Sequence, residues 1–149
     1  MSQGNDLYQE VILEHSKKPR NFKKLEGASH TAEGFNPLCG DRLTLYLKVE
    51  NDRIKEISFE GSGCAISKAS ASMMTQFLKD KNREEAENIF GLFHKMVTGE
   101  NIEEAKSGLG KLAAFAGVSD YPVRVKCASL AWHTLKAALS NRQEPISTE

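Results

Sequence analysis

An α+β fold, with a small antiparallel three-stranded sheet and helices packed on one face, follows from three observations. Leu43, Leu45, Leu47 and Val49 alternate with Thr44, Tyr46, Lys48 and Glu50, the period of a half-buried strand. Residues 54–60 alternate in the same way, and Asn51-Asp52-Arg53 between the two runs is turn-forming, which predicts an antiparallel hairpin. Most of the remaining chain carries helical periodicity, and only helices are left to cover the apolar face of that sheet.

The other elements follow in order. Asn5 or Asp6 can cap a first helix with Leu7, Tyr8, Val11, Ile12 and His15 along its apolar-leaning stripe; Lys17 and Lys18 suit its C-terminus and Pro19 stops it. His15 on that stripe reads as a packed or hydrogen-bonded surface histidine rather than a ligand. Residues 21–34 form a polar loop that leads into a short first strand near residues 29–33. The run Phe35-Asn36-Pro37-Leu38-Cys39-Gly40-Asp41-Arg42 is a rigid loop entering the hairpin.

After the hairpin, Gly61-Ser62-Gly63 makes a tight strand-to-helix turn, placing Cys64 at or just before a helix N-terminus. Unpaired amides there favour a thiolate. The following Ser- and Ala-rich stretch, with Ile66, Met73, Met74, Phe77 and Leu78, suits a closely packed helix. Residues 84–97 predict another, burying Ile89, Phe90, Phe93 and Val97 and closed by Gly99. Between residues 100 and 118 the pattern loosens, and Leu109, Leu112, Ala113, Phe115 and Ala116 permit one short amphipathic helix. Pro122 starts the last helix, over residues 123–140, which is apolar nearly all round and therefore central. The first few residues and residues 141–149 are expected to be flexible. With no repeat or linker, residues 1–149 read as a single domain.

Composition narrows the function. The chain has 149 residues, 40% of them hydrophobic, enough for one core without covalent staples. Its 20 basic and 20 acidic residues cancel, giving no reason to expect nucleic acid or an anionic membrane as partner. The polar N-terminus has neither the apolar core of a signal peptide nor the Arg-rich pattern of a transit peptide, so the expected location is cytoplasmic. There is no phosphate loop, dinucleotide fingerprint or convincing Ser-His-Asp set.

The chemistry rests on three cysteines, Cys39, Cys64 and Cys127. An odd count in a reducing compartment argues against structural disulfides. Cys39 enters the hairpin and Cys64 leaves it, so the two ends meet in space, and Cys127 lies near the start of the helix that must pack on this sheet. Asp41 lies two residues past Cys39. Three thiolates and a carboxylate suit tetrahedral zinc, while sulfur ligands also suit iron–sulfur chemistry or copper(I). Three buried small hydrophobes and a self-capping Asp41 is the plainer alternative. Arg42, Arg124 and Lys126 add positive charge that could stabilise thiolates or persulfides, or meet an acidic partner.

Three ordered motifs carry a family resemblance: Asn36-Pro37-Leu38-Cys39-Gly40-Asp41, Gly61-Ser62-Gly63-Cys64-Ala65-Ile66-Ser67, and Arg124-Val125-Lys126-Cys127-Ala128-Ser129-Leu130. Together they resemble the iron–sulfur cluster assembly scaffolds of the IscU and NifU N-terminal type, from the Leu7-Tyr8 helix to the Trp132 helix. The pattern is closer to the SufU branch: Lys126 precedes the third cysteine where the IscU branch carries histidine. Asp120-Tyr121-Pro122-Val123-Arg124 also replaces the segment by which that branch engages its chaperone, and residues 100–118 supply an extra segment. The resemblance implies an IscU-like fold and a zinc ion held by Cys39, Asp41, Cys64 and Cys127. It implies a sulfurtransferase in which Cys39 takes persulfide sulfur from a SufS-type cysteine desulfurase, whose pyridoxal phosphate this chain does not bind. Arg124, Lys126 and Arg42 are the expected partner or persulfide contacts, and a SufBCD-type cluster scaffold is a further expected partner. The alternative it leaves open is a scaffold that assembles a transient [2Fe-2S] cluster.

Overall fold

The computed structural model describes residues 3–140 and 146–147, with side chains from residue 9 onward. Helix α1 (Gln3–Lys17) leads through a long loop to strands β1 (His30–Asn36), β2 (Asp41–Glu50) and β3 (Arg53–Ser62). Both predicted strands extend beyond their expected ends, and β1 runs further than residue 33. Asn51 and Asp52 have φ of +52° and +62°, the left-handed pair of a type I′ turn whose twist matches its flanking strands. Antiparallel pairing carries β2 from Glu50 opposite Arg53 to Arg42 opposite Ser62, so the far end of the hairpin returns beside Asp41.

The sheet has four strands rather than the expected three, in the order β3-β2-β1-β4. Strand β4 (Ile146–Ser147) lies parallel to β1, pairing at Gly34 and Phe35, which makes the sheet mixed. This corrects the expectation of a frayed tail over residues 141–149, of which 141–145 and 148–149 lie outside the described residues. A lone buried isoleucine in a polar stretch anchors it; two paired residues are too few to show a period-2 pattern.

One face of the sheet presents Ala32, Leu43, Leu45, Leu47, Ile57 and Phe59, and helices α2 (Ala65–Leu78) and α5 (Pro122–Leu139) cover it. Gly34 marks how closely α5 approaches: a Cβ there would overlap Thr134 Oγ1 and stand 3.1 Å from Leu130 Cδ1. Small residues in α2 (Ala69, Ser70, Ala71, Ser72) are all buried, and Ser70 ties α2 to α5 by donating to Ala128 O at 2.6 Å and accepting from Trp132 Nε1 at 3.1 Å. His15 is packed and hydrogen-bonded as expected, but it is buried rather than at the surface: its ring nitrogen lies 2.7 Å from Ser72 Oγ.

Three boundaries differ from expectation. Helix α1 begins at Gln3, so Asn5 and Asp6 lie inside its first turn instead of capping it. Helix α3 (Arg83–Val97) starts at a capping box, Asn82 Oδ1 accepting from Glu85 N–H at 2.8 Å while Asn82 N–H donates to Glu85 Oε1. The segment read as one amphipathic helix is instead a short helix α4 (Ile102–Lys106) followed by a 3-10 stretch, Gly110–Asp120. Its buried residues explain why. Leu109, Leu112, Phe115 and Val118 recur every three positions, the pitch of a 3-10 helix, so only that winding puts all four in the core. Phe93 of α3 stacks on Trp132 of α5 with ring centroids 4.5 Å apart, joining this half of the core to the other.

Candidate metal and thiol site

The four-residue turn between β1 and β2 carries Cys39, and Asn36 and Asp41 form the last pair of those strands. The turn is closed at Asn36, whose carbonyl accepts from Cys39 N–H at 3.3 Å and from Gly40 N–H at 2.9 Å. Gly40 takes φ +73°, a left-handed conformation that glycine adopts without penalty. Cys39 is exposed on this turn, while the alternation of β2 turns Asp41 inward to full burial.

The end of β3 supplies the second wall. Cys64 is the N-cap of α2, its sulfur accepting from Ser67 N–H at 3.4 Å. Its own N–H donates to Asp41 Oδ1 at 2.8 Å, and its Sγ lies 3.8 Å from Asp41 Oδ2. Gly63 makes this approach possible, because a Cβ there would overlap Asp41 Oδ1 and press on Asp41 Cα and Cβ at 3.0 Å. Cys127, in the second turn of α5, is buried and points its thiol at Cys39 Sγ, 3.3 Å away.

The ligand atoms of Cys39, Asp41 and Cys127 all lie within 4.8 Å of one another, a group able to hold a metal ion. Cys64 is outside that mutual limit but touches the group through Asp41. Two sulfurs and a carboxylate oxygen, with a third sulfur alongside, form a donor set that fits tetrahedral zinc. The plainer alternative of three unrelated core cysteines does not describe this convergence.

Burial governs the thiols. It pushes the Cys64 thiol up, and the Ser67 amide only partly opposes it. The helix N-terminus therefore does not by itself produce the thiolate expected from its position. Burial also pushes Cys127 up strongly, followed by its contacts with the Cys39 and Cys64 thiols and the Asp41 carboxylate. A bound cation reverses this balance, since it stabilises the charged form of each ligand.

The three basic candidates separate. Arg124 is exposed at the start of α5, its guanidinium 4.5 Å above the ring of Tyr121. Tyr121 and Val123 on one side, and Phe35 and Leu38 around the Cys39 turn, are exposed apolar residues. Lys126 lines a separate groove of about 590 Å³ with His94, His133 and Lys136. Arg42, next to Asp41 in β2, falls on the opposite face of the strand by alternation and lines a hollow with Glu33 and Phe35.

Sequence reasoning passed over one residue. Asn36 is fully buried, and its Nδ2 donates toward Asp41 Oδ2 at 3.3 Å and Cys127 Sγ at 3.5 Å. Its position at the head of an Asn-Pro turn was the available signal, since asparagine there bonds the backbone two residues on.

The fold and this cysteine–carboxylate cluster define a protein of the iron–sulfur assembly type. The model of the NifU-like N-terminal domain matches residues 7–128, and the chain belongs to that family. It is 41% identical over 139 residues to the iron–sulfur cluster assembly scaffold protein IscU of Streptococcus pyogenes serotype M1, covering 93% of this chain and 86% of that one. It is also 41% identical over 137 residues to the zinc-dependent sulfurtransferase SufU of Bacillus subtilis strain 168, covering 92% of each. A crystal structure from Fervidobacterium islandicum AW-1, provisionally described as an iron–sulfur cluster assembly scaffold protein for the SUF system, superposes with TM-score 0.83 at 38% identity, over 91% of this chain and 98% of that one. Among the described residues no helix is long and apolar enough to cross a membrane.

Proposed function

We propose that this chain is a zinc-dependent sulfur acceptor, taking persulfide sulfur from a SufS-type cysteine desulfurase and passing it toward iron–sulfur cluster assembly. The observation that carries the reading is an exposed cysteine held against a buried one: Cys39 faces solvent on a tight turn, with its sulfur 3.3 Å from that of Cys127. The name of the Bacillus subtilis relative supports zinc and sulfur transfer together.

In this reading Cys39, Asp41, Cys64 and Cys127 hold the zinc, whose charge keeps the thiols deprotonated. Cys39, the accessible member, is the nucleophile. Its thiolate attacks the terminal sulfur of the desulfurase persulfide, a sulfur–sulfur bond forms on Cys39 as the donor's breaks, and the donor cysteine leaves as a thiolate. No net oxidation occurs. Arg124 on its Tyr121 platform, with exposed Val123 preceding it in the chain and exposed Leu38 preceding Cys39, is the surface offered to the donor; Lys126 and Arg42 are secondary contacts. A SufBCD-type scaffold would receive the sulfur downstream, and the reduced thiols suit the cytoplasm.

The test combines this protein with a SufS-type desulfurase, cysteine and pyridoxal phosphate. Stimulated turnover and a one-sulfur mass increment on Cys39 are expected, both lost in Cys39→Ser. Stimulation undiminished in Cys39→Ser overturns the proposal.

A second reading, a scaffold for a transient [2Fe-2S] cluster, is favoured by the name of the Streptococcus relative and by a donor set that can also bind iron. Anaerobic reconstitution with iron and sulfide separates the two. A visible cluster that transfers to an apoprotein supports the scaffold, and no chromophore while zinc stays bound counts against it.

A further inference from the structure

We propose that Asn36 is the positioning residue of this site, fixing Asp41 and Cys127 in place and thereby leaving Cys39 as the movable thiol. The inference deepens the sulfur-acceptor reading and rests on it for the consequence, though not for the geometry.

Both side-chain polar atoms of Asn36 and its main-chain carbonyl are committed. Its main-chain carbonyl accepts from Cys39 N–H and Gly40 N–H. Its Oδ1 accepts from Leu38 N–H at 3.3 Å, closing the same turn from the side chain. Its Nδ2 faces two acceptors, Asp41 Oδ2 at 3.3 Å and Cys127 Sγ at 3.5 Å. These partners also settle which way the amide points: a backbone N–H on one side requires oxygen, and a carboxylate on the other requires the NH₂. The side chain is fully buried, so no water competes for these contacts.

The consequence is an asymmetry among the sulfurs. Asp41 is held twice, by Asn36 and by the Cys64 N–H. Cys127 is held by α5 and by the Asn36 amide. Cys64 is the cap of α2. Cys39 receives no side-chain bond from Asn36, only backbone bonds that set where its turn starts, and its thiol lies at the solvent edge. Hydrogen-bond donors to ligands orient them and tune their donor strength. Here the donor acts on the two buried ligands and spares the exposed one.

Two variants dissect this. Asn36→Ala removes every side-chain contact. Asn36→Ser keeps an oxygen able to accept from Leu38 N–H but is too short to reach Asp41 and Cys127, so the turn is preserved if Ala fails to fold. Thermal unfolding of the Ser variant serves as the control on folding.

The first readout is metal-free: alkylation by iodoacetamide, resolved by cysteine in the mass spectrometer. In the wild type Cys39 is expected to react well ahead of Cys127, and in Asn36→Ser the gap should narrow several-fold through faster reaction of Cys127. The second uses Co²⁺ alone. The thiolate-to-cobalt charge-transfer band should move to longer wavelength when the N–H donor to sulfur is lost, with affinity falling roughly 10–100-fold. An unchanged gap between the Cys39 and Cys127 alkylation rates together with an unchanged cobalt spectrum overturns the role of Asn36 while leaving the sulfur-acceptor reading intact. Absence of any thiolate band in the wild type counts instead against that reading, and the change in the alkylation-rate gap then decides Asn36 by itself.

Discussion

Replacing Gly63 by alanine is expected to unlatch the Asp41 carboxylate. The new Cβ would overlap Asp41 Oδ1 and stand 3.0 Å from Asp41 Cα and Cβ, on a backbone with φ +152°. Asp41 is fully buried, and Oδ1 is the atom that accepts the Cys64 N–H at 2.8 Å. Relief requires that bond to break, at about 1.5–3 kcal/mol for a hydrogen bond to a charged group. The backbone conformation adds about 1–3 kcal/mol for a residue with a Cβ. A stiffer unfolded chain returns about 0.4–1 kcal/mol. The net loss is about 2–5 kcal/mol, which for a chain of this size lowers Tm by roughly 5–15 °C. Thermal unfolding of the metal-free protein measures it, with two controls. Gly27→Ala, at φ +75° with nothing within 4 Å of its Cβ, carries only the conformational cost of about 1–2 kcal/mol. Gly91→Ala, inside α3 with open space around its Cβ, should stabilise by about 0.5–1 kcal/mol. A Gly63→Ala Tm within about 2 °C of wild type, or no lower than that of Gly27→Ala, would refute the close-approach argument.

Other consequences can be measured in parallel. Ile146→Ala should cost about 2–4 kcal/mol in urea unfolding because Ile146 is buried against β1 and α5; a change below about 0.5 kcal/mol would mean that β4 does not anchor the tail. Arg124→Glu should raise the concentration needed for half-maximal desulfurase stimulation by roughly 3–10-fold at low salt, with the difference shrinking as salt increases; an effect independent of salt would point away from charge-guided docking. Burial holds both His15 and His133 below their ordinary value of 6.5. The unfolded chain therefore takes up their protons first on acidification. The stability they confer is fully present above pH 6.5 and is lost as pH falls through the lower folded-state values. Tm should drop on acidification below 6.5, with a shallower slope in His15→Asn, and an equal slope would dissociate His15 from the effect.

How much could be read in advance depended on how many residues shared each signal. The β2–β3 hairpin announced itself through four alternating apolar positions on one strand and a left-handed Asn-Asp turn, and it brought the regions of Cys39 and Cys64 together. Strand β4 left no periodic trace, since one buried isoleucine does the anchoring. The 3-10 stretch was misread as an α-helix because Leu109, Leu112 and Phe115 satisfy a loose helical stripe as well. Only the addition of Val118 shows the three-residue pitch. Within the site, the residue types were legible and the shared geometry of Cys39, Asp41 and Cys127 followed. The separate placement of Arg42 and Lys126 was not, because sequence proximity to a ligand says nothing of which face a strand or helix turns toward it. Asn36 was missed for a related reason: its partners come from β2 and α5, far away along the chain.

The central claim is that three sulfurs and one carboxylate enclose a single ion with Cys39 as its exposed member. Metal analysis of the protein as purified, coupled to thiol alkylation before and after chelation, tests it most directly. The account predicts about one zinc per chain and Cys64 and Cys127 protected until the metal is removed, with Cys39 the first of the three to react. Zinc-free protein that takes up no zinc when supplied with it, or zinc-loaded protein in which Cys127 is alkylated as readily as Cys39, would contradict it.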